Sequence, residues 1–318
     1  MSEEVLEEVP EEKYLAGRSE EISGKALHQW RQWAIQLATD QSIDLSEVDW
    51  FLQGMTPLSS LSLRLGTYQN QSNIALKASL ETLTEKWEQR VTRRVPVQYL
   101  TGETPWRNFS LMVSPDVLIP RPETELIIDI ASTLVEHSPI ASRLRSGHWA
   151  DLGTGSGAIA LGLAHQFPTA KIHAVDISEK ALDIAQQNAK KNALSKRITL
   201  HQGSWLTPLN HLQGQLSAIV SNPPYIPTKI VATLQPEVVH HEPHLALDGG
   251  DDGLDDIRKL IHQGAAYLHP SGLWLIELML GQAESVADLL AQHGSYTNIS
   301  SHQDLSGIQR FVSARKAI

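Results

Sequence analysis

Asp151-Leu152-Gly153-Thr154-Gly155-Ser156-Gly157-Ala158 stands where a short apolar run, His148–Leu152, gives way to an apolar helical segment, Ala158–Gln166. A strand that turns into a helix through glycines is a ligand-binding turn. Glycine tolerates positive φ and lets the backbone come close to a bound group. Gly153, Gly155 and Ala158 satisfy the dinucleotide fingerprint G-x-G-x-x-[GA], so a nicotinamide enzyme is one reading of this loop alone. Asp176, closing the next apolar run Lys171–Val175, suits a carboxylate that accepts hydrogen bonds from ribose hydroxyls, which fits more than one adenosine cofactor.

Outward from this loop, strand and helix signals alternate. Helical stretches are expected at Glu123–Glu136, Ala158–Gln166, Ser178–Asn192 (Ser178 as cap), Asp252–Leu268 and Gln282–Gln292. Strands are expected at 148–152, 171–175, 198–201, 218–221, 273–278, 297–300 and 311–314. That alternation predicts an open, mostly parallel α/β sheet covered on both faces, with ligands outside the carboxyl ends of the strands. The glycine loop, Asp176, Trp205 and Asn222 all fall at or just past such ends.

The second informative stretch is Asn222-Pro223-Pro224-Tyr225, directly after the apolar run Ala218–Ser221. Two prolines fix φ and remove two backbone donors, which leaves a rigid frame of acceptors. Asn222 Oδ1 and the Pro223 carbonyl could together accept both hydrogens of a substrate –NH₂, with the Tyr225 ring as a stacking face. A planar amide nitrogen, or an exocyclic base amine, is the group such a loop would hold. Together with Asp151 before the glycines, which suits a cationic amino-acid end, and Gly157 two residues after Gly155, this loop shifts the cofactor from a dinucleotide to S-adenosylmethionine. Gly153, Thr154, Gly155, Ser156, Gly157, Asp176, Trp205 and Asn222 are the expected cofactor contacts. Asn222, Pro223 and Tyr225 are the expected catalytic residues, with Pro224 added to them for substrate binding. No metal is expected.

Upstream, Leu27, Trp30, Ala34 and Leu37, and again Leu76, Leu80, Leu83, Trp87 and Val91, repeat at helical spacing. A small helical domain over 23–95 is predicted, with Ser46 capping a short helix through Val48, Phe51 and Leu52, another helix over Leu58–Leu65, and Pro96 ending the last. Residues 96–122 read as a hairpin connector, extended around Trp106 and Leu111–Val113, and 123–318 as the catalytic domain.

The 318-residue chain is 41% hydrophobic and has no cysteine, which excludes disulfides, thiolate metal sites and cysteine nucleophiles. Of the net charge of −10, residues 1–22 hold −6, as eight glutamates against Lys13 and Arg18. They read as a disordered acidic tail. A mildly acidic remainder argues against avid duplex binding, whose affinity comes from neutralising phosphates. No apolar run of about 18 residues suggests a membrane span, and the cytoplasm is the default expectation. His240, His241 and His244 match no closed ligand spacing, and Asp248, Asp251, Asp252 and Asp255 lack calcium-loop order.

These motifs resemble the HemK/PrmC protein-glutamine N5-methyltransferases, which methylate the glutamine of the Gly-Gly-Gln loop in peptide chain release factors. The likeness runs from about Arg94 onward. It rests on Pro96-Val97-Gln98-Tyr99-Leu100-Thr101-Gly102, Leu118-Ile119-Pro120-Arg121-Pro122-Glu123-Thr124-Glu125, Asp151–Gly157, Val175–Ser178, Ser221–Tyr225 and Ala246–Leu254. The resemblance implies a class I, Rossmann-like methyltransferase fold with a mostly parallel seven-stranded sheet. It implies that Gly153–Gly157 contact the methionine end of the cofactor, Asp176 the ribose and Trp205 the adenine. It further implies that Asn222–Tyr225 hold the target glutamine while the helical domain grips a release factor. A monomer with a protein substrate, and no nucleic acid or membrane partner, is the expectation. The alternatives are an N6-adenine nucleic-acid methyltransferase, a ribosomal-protein glutamine methyltransferase and a non-catalytic cofactor-binding scaffold. One departure stands out: where family members often carry Glu-Ile-Gly after the fifth strand, this chain has Glu277-Leu278-Met279.

Overall fold

The computed structural model describes residues 20–318, and the acidic segment 1–19 lies outside them. The chain divides into two compact units, one ending at Arg93 and one running from Arg94 to Ile318.

The first unit holds β1 (Glu21–Ile22), α1 (Gly24–Asp40), α2 (Ser46–Met55), α3 (Ser60–Leu65), β2 (Ile74–Ala75) and α4 (Leu80–Arg93). Ser23 caps α1 by accepting from Ala26 N, and Leu27, Trp30, Ala34 and Ala38 form its buried stripe. Phe51 of α2 lies between Trp30 and Trp87, at ring-centroid distances of 5.9 and 5.5 Å. Three expectations change. Ser46 is the first residue of α2, and its amide is met by Asp44 Oδ1 at 2.9 Å. Leu76 precedes α4, paired through its amide to the Glu20 carbonyl, so the apolar repeat ran on past the helix start. Glu21–Ile22, assigned to the tail by charge, pairs antiparallel with Ile74–Ala75, while the Glu20 carboxylate accepts from Leu80 N at the head of α4. Ile22 is apolar and buried, which composition alone could not reveal.

The second unit begins with α5 (Val97–Thr101) and the hairpin β3 (Glu103–Trp106) and β4 (Phe109–Met112). There follow α6 (Leu126–Glu136), α7 (Ala141–Ser146), β5 (His148–Leu152), α8 (Ala158–Gln166), β6 (Lys171–Asp176), α9 (Glu179–Lys191), β7 (Ile198–Gln202) and β8 (Leu216–Ser221). The chain ends with α10 (Thr228–Val231), α11 (Pro236–His241), α12 (Asp255–Tyr267), β9 (Leu268–Glu277), α13 (Ala283–His293), β10 (Tyr296–Gln303) and β11 (Gln309–Lys316). Seven strands form one sheet in the order β10-β11-β9-β8-β5-β6-β7, parallel from β9 to β7 and antiparallel at the β9–β11–β10 edge. This is the Rossmann-like α/β sheet that the alternation predicted.

Because side chains alternate across a strand, each strand feeds two cores. Trp149, Ile172, Ala174, Val220 and Leu275 join α6 and α8 on one face. Ala150, Leu152, Val175, Ile219 and Trp274 join α12 and α13 on the other. The order reverses between β5 and β8, which opens a crevice outside their carboxyl ends. Leu152 is level with Val175 of β6 and Ser221 of β8, so Gly153, Asp176 and Asn222 emerge side by side.

Candidate active site

A cavity of about 310 Å³ opens at that crevice, at the lower end of the size range of small-molecule sites. Gly153, Gly155, Asp176, Trp205, Asn222 and Pro224 are among its walls.

Asp176 ends β6 with both carboxylate oxygens fixed by backbone donors, Oδ2 by Gly155 N and Oδ1 by Ser178 N, each at 2.9 Å. Burial raises its pKa, and those two donors oppose the shift. Trp205, just past β7, has the unusual φ of 51° and donates its indole N–H to Asp256 Oδ1 at 3.3 Å. Its ring faces Gly153, where a Cβ would lie 3.5 Å from the indole, and at Gly155 a Cβ would meet nothing within 4 Å.

The glycine loop itself is used differently from its sequence reading. The amides of Gly153 and Thr154 both donate to the Val175 carbonyl and that of Gly157 to the Thr154 carbonyl, so the turn hydrogen-bonds to its own neighbours. Thr154 and Ser156 are buried and do not line the cavity. The Thr154 hydroxyl donates to Asp151 Oδ2 at 2.5 Å, and the Ser156 carbonyl accepts from Asn188 Nδ2. Gly157, at φ 83°, lies against Ala185 of α9, where a Cβ would sit at 3.2 Å, so a side chain there would crowd that helix. Asp151, expected to face a cationic ligand end, is fully buried beneath the loop and accepts from Ala160 N in the first turn of α8. Burial lifts its pKa to about 7 against the pull of Thr154 and Ala160. A carboxyl group of the chain thus already occupies the positive end of α8, where a dinucleotide pyrophosphate would need to sit.

At the second motif, Asn222 donates Nδ2 to the Thr124 hydroxyl at 3.2 Å. Its Oδ1 accepts nothing among the described residues, and it is not one of the buried partnerless atoms. The Pro223 carbonyl likewise accepts no hydrogen bond among them. Two adjacent acceptors are therefore free. Pro223 is buried, and neither it nor Tyr225 lines the cavity. The Tyr225 hydroxyl donates to Glu277 Oε1 at 3.1 Å, and burial raises the pKa of the phenol. Glu277 is itself 1% exposed with Oε2 partnerless among the described residues, and burial brings its pKa to about 7.

The loop is held from behind by the glycine-rich segment 246–254. Ile226 N donates to the Leu247 carbonyl, Gly249 N to that of Ile226, and Gln282 Nε2 to that of Tyr225 at 2.9 Å. Gly253 has φ 78°, and a Cβ there would lie 2.2 Å from the Tyr225 carbonyl. Arg121 Nη2 donates to both carboxylate oxygens of buried Glu242, each at 2.8 Å. Met279 is absent from the positive-φ residues, so the missing family glycine costs no strain; the left-handed turn falls at Gly281, φ 91°.

Sequence reading missed other walls, notably Asp116, Val117, Ile177 and Leu245. Ile177 and Leu245 are exposed apolar side chains, the former directly after Asp176, and that juxtaposition was the available signal. Asp248 and Asp252 act as turn caps, accepting from Gly250 N and Leu254 N.

Residues 125–251 match the family model for the Methyltransferase small domain. The chain is 52% identical over 294 residues to the release factor glutamine methyltransferase of Synechocystis sp., covering 92% of this chain and 97% of that one. It is 48% identical over 296 residues to the protein of the same name from Thermosynechococcus vestitus, covering 92% and 99%. Among solved structures, the hMettl16 catalytic domain in complex with a MAT2A 3'UTR hairpin superposes with a TM-score of 0.53 over 89% of this chain and 91% of that one. At 14% identity this is a likeness of fold.

Proposed function

The chain belongs to the release factor glutamine methyltransferases, and from that premise we propose that it methylates the side-chain amide nitrogen of the Gly-Gly-Gln glutamine, held by Asn222 Oδ1 and the Pro223 carbonyl, with S-adenosylmethionine as donor. The observation that carries the site assignment is the pair of free acceptors in tandem at the end of β8. Prolines at 223 and 224 supply no N–H, so the two residues after Asn222 bring no backbone donor to those acceptors.

The cavity fits the cofactor. Asp176 presents a fixed carboxylate for a ribose diol, the ring of Trp205 offers a flat wall for a base, and the open side of Gly155 leaves room for close approach. When bound, S-adenosylmethionine supplies an electrophilic methyl group on a sulfonium, which departs as a neutral thioether.

The chain's own residues supply alignment. An amide nitrogen is a poor nucleophile because its lone pair is shared with the carbonyl. Acceptors fixed on both N–H groups raise its electron density and hold it in one orientation, which removes rotational entropy from the barrier. As nitrogen takes the methyl the neutral thioether leaves, and one proton is released along its hydrogen bond and on to solvent water. Tyr225 anchors the loop through Glu277 and does not form a cavity wall.

The test is transfer of a labelled methyl group from S-adenosylmethionine to a release factor by purified protein. Label should appear on the release factor and vanish when the glutamine of its Gly-Gly-Gln loop is changed to alanine. Label on DNA or RNA instead would overturn the reading.

A further inference from the structure

Trp205 holds a backbone conformation that a tryptophan does not take by preference. Its φ of 51° lies in the left-handed region, where a bulky side chain crowds its own backbone. The ring is half-buried, packed against the core shared with α12 and α13, and faces Gly153. Apolar packing has little direction, so by itself it lets a flat ring slide and tilt. A hydrogen bond at the ring's edge removes that freedom, and the indole has one group to make it with, Nε1, which only donates.

The acceptor is Asp256 Oδ1, 3.3 Å away in the first turn of α12. The same oxygen takes Lys259 Nζ at 2.9 Å from one turn farther along that helix. Two donors thus converge on one oxygen, and Trp205, Asp256 and Lys259 all line the cavity. A carboxylate near a helix start favours the helix by its charge alone. Asp255 shares that setting, but it pairs with Arg258 and is not a cavity wall. The difference between the two neighbouring acids is the indole.

We propose that Asp256, braced by Lys259, is a positioning residue that holds the Trp205 ring in the attitude in which the base of the cofactor lies on it. The proposal rests on the reading of Trp205 as the wall for that base. A ring free to tilt in the empty protein has to be stilled when the cofactor arrives, which weakens binding; a ring already tied is stilled by folding. Asp256 therefore acts on cofactor capture. The transfer step, whose acceptors belong to the Asn222–Tyr225 loop, is left alone.

Three variants of the full-length protein test this. Asp256→Ala removes the acceptor, Asp256→Asn keeps an oxygen that can turn to both donors, and Asp255→Asn removes the neighbouring charge at the same helix start. The first readout needs neither cofactor nor substrate: the Trp205 indole N–H resonance in ¹⁵N-tryptophan-labelled protein, identified by its loss in Trp205→Phe. It should move and exchange its hydrogen faster in Asp256→Ala, lie near its original place in Asp256→Asn, and stay put in Asp255→Asn. The second readout is calorimetric affinity for S-adenosylmethionine, set beside kcat at saturating cofactor. Asp256→Ala should raise Kd about two- to tenfold with kcat unchanged, and should add nothing in a Trp205→Phe background. An unmoved resonance, an equal rise in Kd in Asp255→Asn or a fall in kcat at saturation would overturn the proposal. So would a Kd effect that persists in Trp205→Phe, which would make Asp256 a direct contact. A Trp205→Ala variant that binds S-adenosylmethionine as tightly as wild type would overturn the wall reading, and the proposal with it, whatever the resonance does.

Discussion

Replacing Asn222 by alanine removes an acceptor while leaving Gly153, Asp176 and Trp205 in place. Asn222→Ala should therefore keep cofactor affinity within a few-fold and lower kcat by about a hundredfold or more, measured by calorimetry and single-turnover transfer. Asp176→Asn should do the reverse. Losing one charged acceptor weakens binding by about 1.5–3 kcal/mol, roughly a ten- to hundredfold rise in cofactor Kd, with kcat at saturation nearly retained. Equal losses in both parameters for both variants would contradict this division. At this scale the gathering of Gly153, Gly155, Asp176, Trp205, Asn222 and Pro224 around one cavity was legible, because a strand end followed by glycine, acid or proline restricts where a residue can stand. That the Thr154 and Ser156 side chains are buried away from the cavity was not, because a motif lists neighbours in the chain without saying which of them turn into the core. The facing of Tyr225 towards Glu277 had no sequence signal, since the two are 52 positions apart.

Among the elements, the long ones announced themselves. α8, α9, α12 and α13 and the seven sheet strands carry enough residues to show a period. α5, α7, α10 and α11 are 4 to 6 residues long, too short for a repeat, and all four escaped notice. The backing of the Asn222–Tyr225 loop by 246–254 was also hidden, since close backbone approach is a tertiary fact. Gly253→Ala combines a clash with the Tyr225 carbonyl and a strained φ. It should lower kcat well beyond the loss expected from a Tm shift corresponding to about 1–3 kcal/mol, read by comparing melting curves with turnover.

A different element-level feature crosses β5, β6 and β7. His148 Nδ1 lies 2.8 Å from His173 Nε2, and His173 Nδ1 lies 3.0 Å from His201 Nε2. Burial, then the neighbouring histidines, lowers the His173 pKa to about 4. The folded state therefore resists a proton that the unfolded state takes up near pH 6.5, and stability falls as pH drops from there towards 4. By pH 5 the cost is about 2 kcal/mol at most. His173→Gln should be no more stable than wild type at pH 8 and relatively more stable at pH 5, by urea unfolding at both values. A difference independent of pH would contradict it.

For the molecule as a whole, every named cavity wall lies beyond Arg93, in the second unit. A chain of residues 94–318 should melt cooperatively and bind S-adenosylmethionine as tightly as the full protein. If the helical unit grips the release factor, as the family resemblance implies, the shortened chain should show a raised KM for it. Loss of cofactor binding on truncation would show that the two units do not divide the work this way. The two free acceptors have a further consequence for which release factors the protein will serve. Glutamine ages by deamidation to glutamate, a side chain of nearly the same shape that brings only lone pairs to the same place. Facing Asn222 Oδ1 and the Pro223 carbonyl, such a carboxylate would be repelled where, on the proposed reading, the amide is held. On the proposed role of these acceptors, the loop would pass over chemically damaged release factor, reading the integrity of its target in the act of binding it.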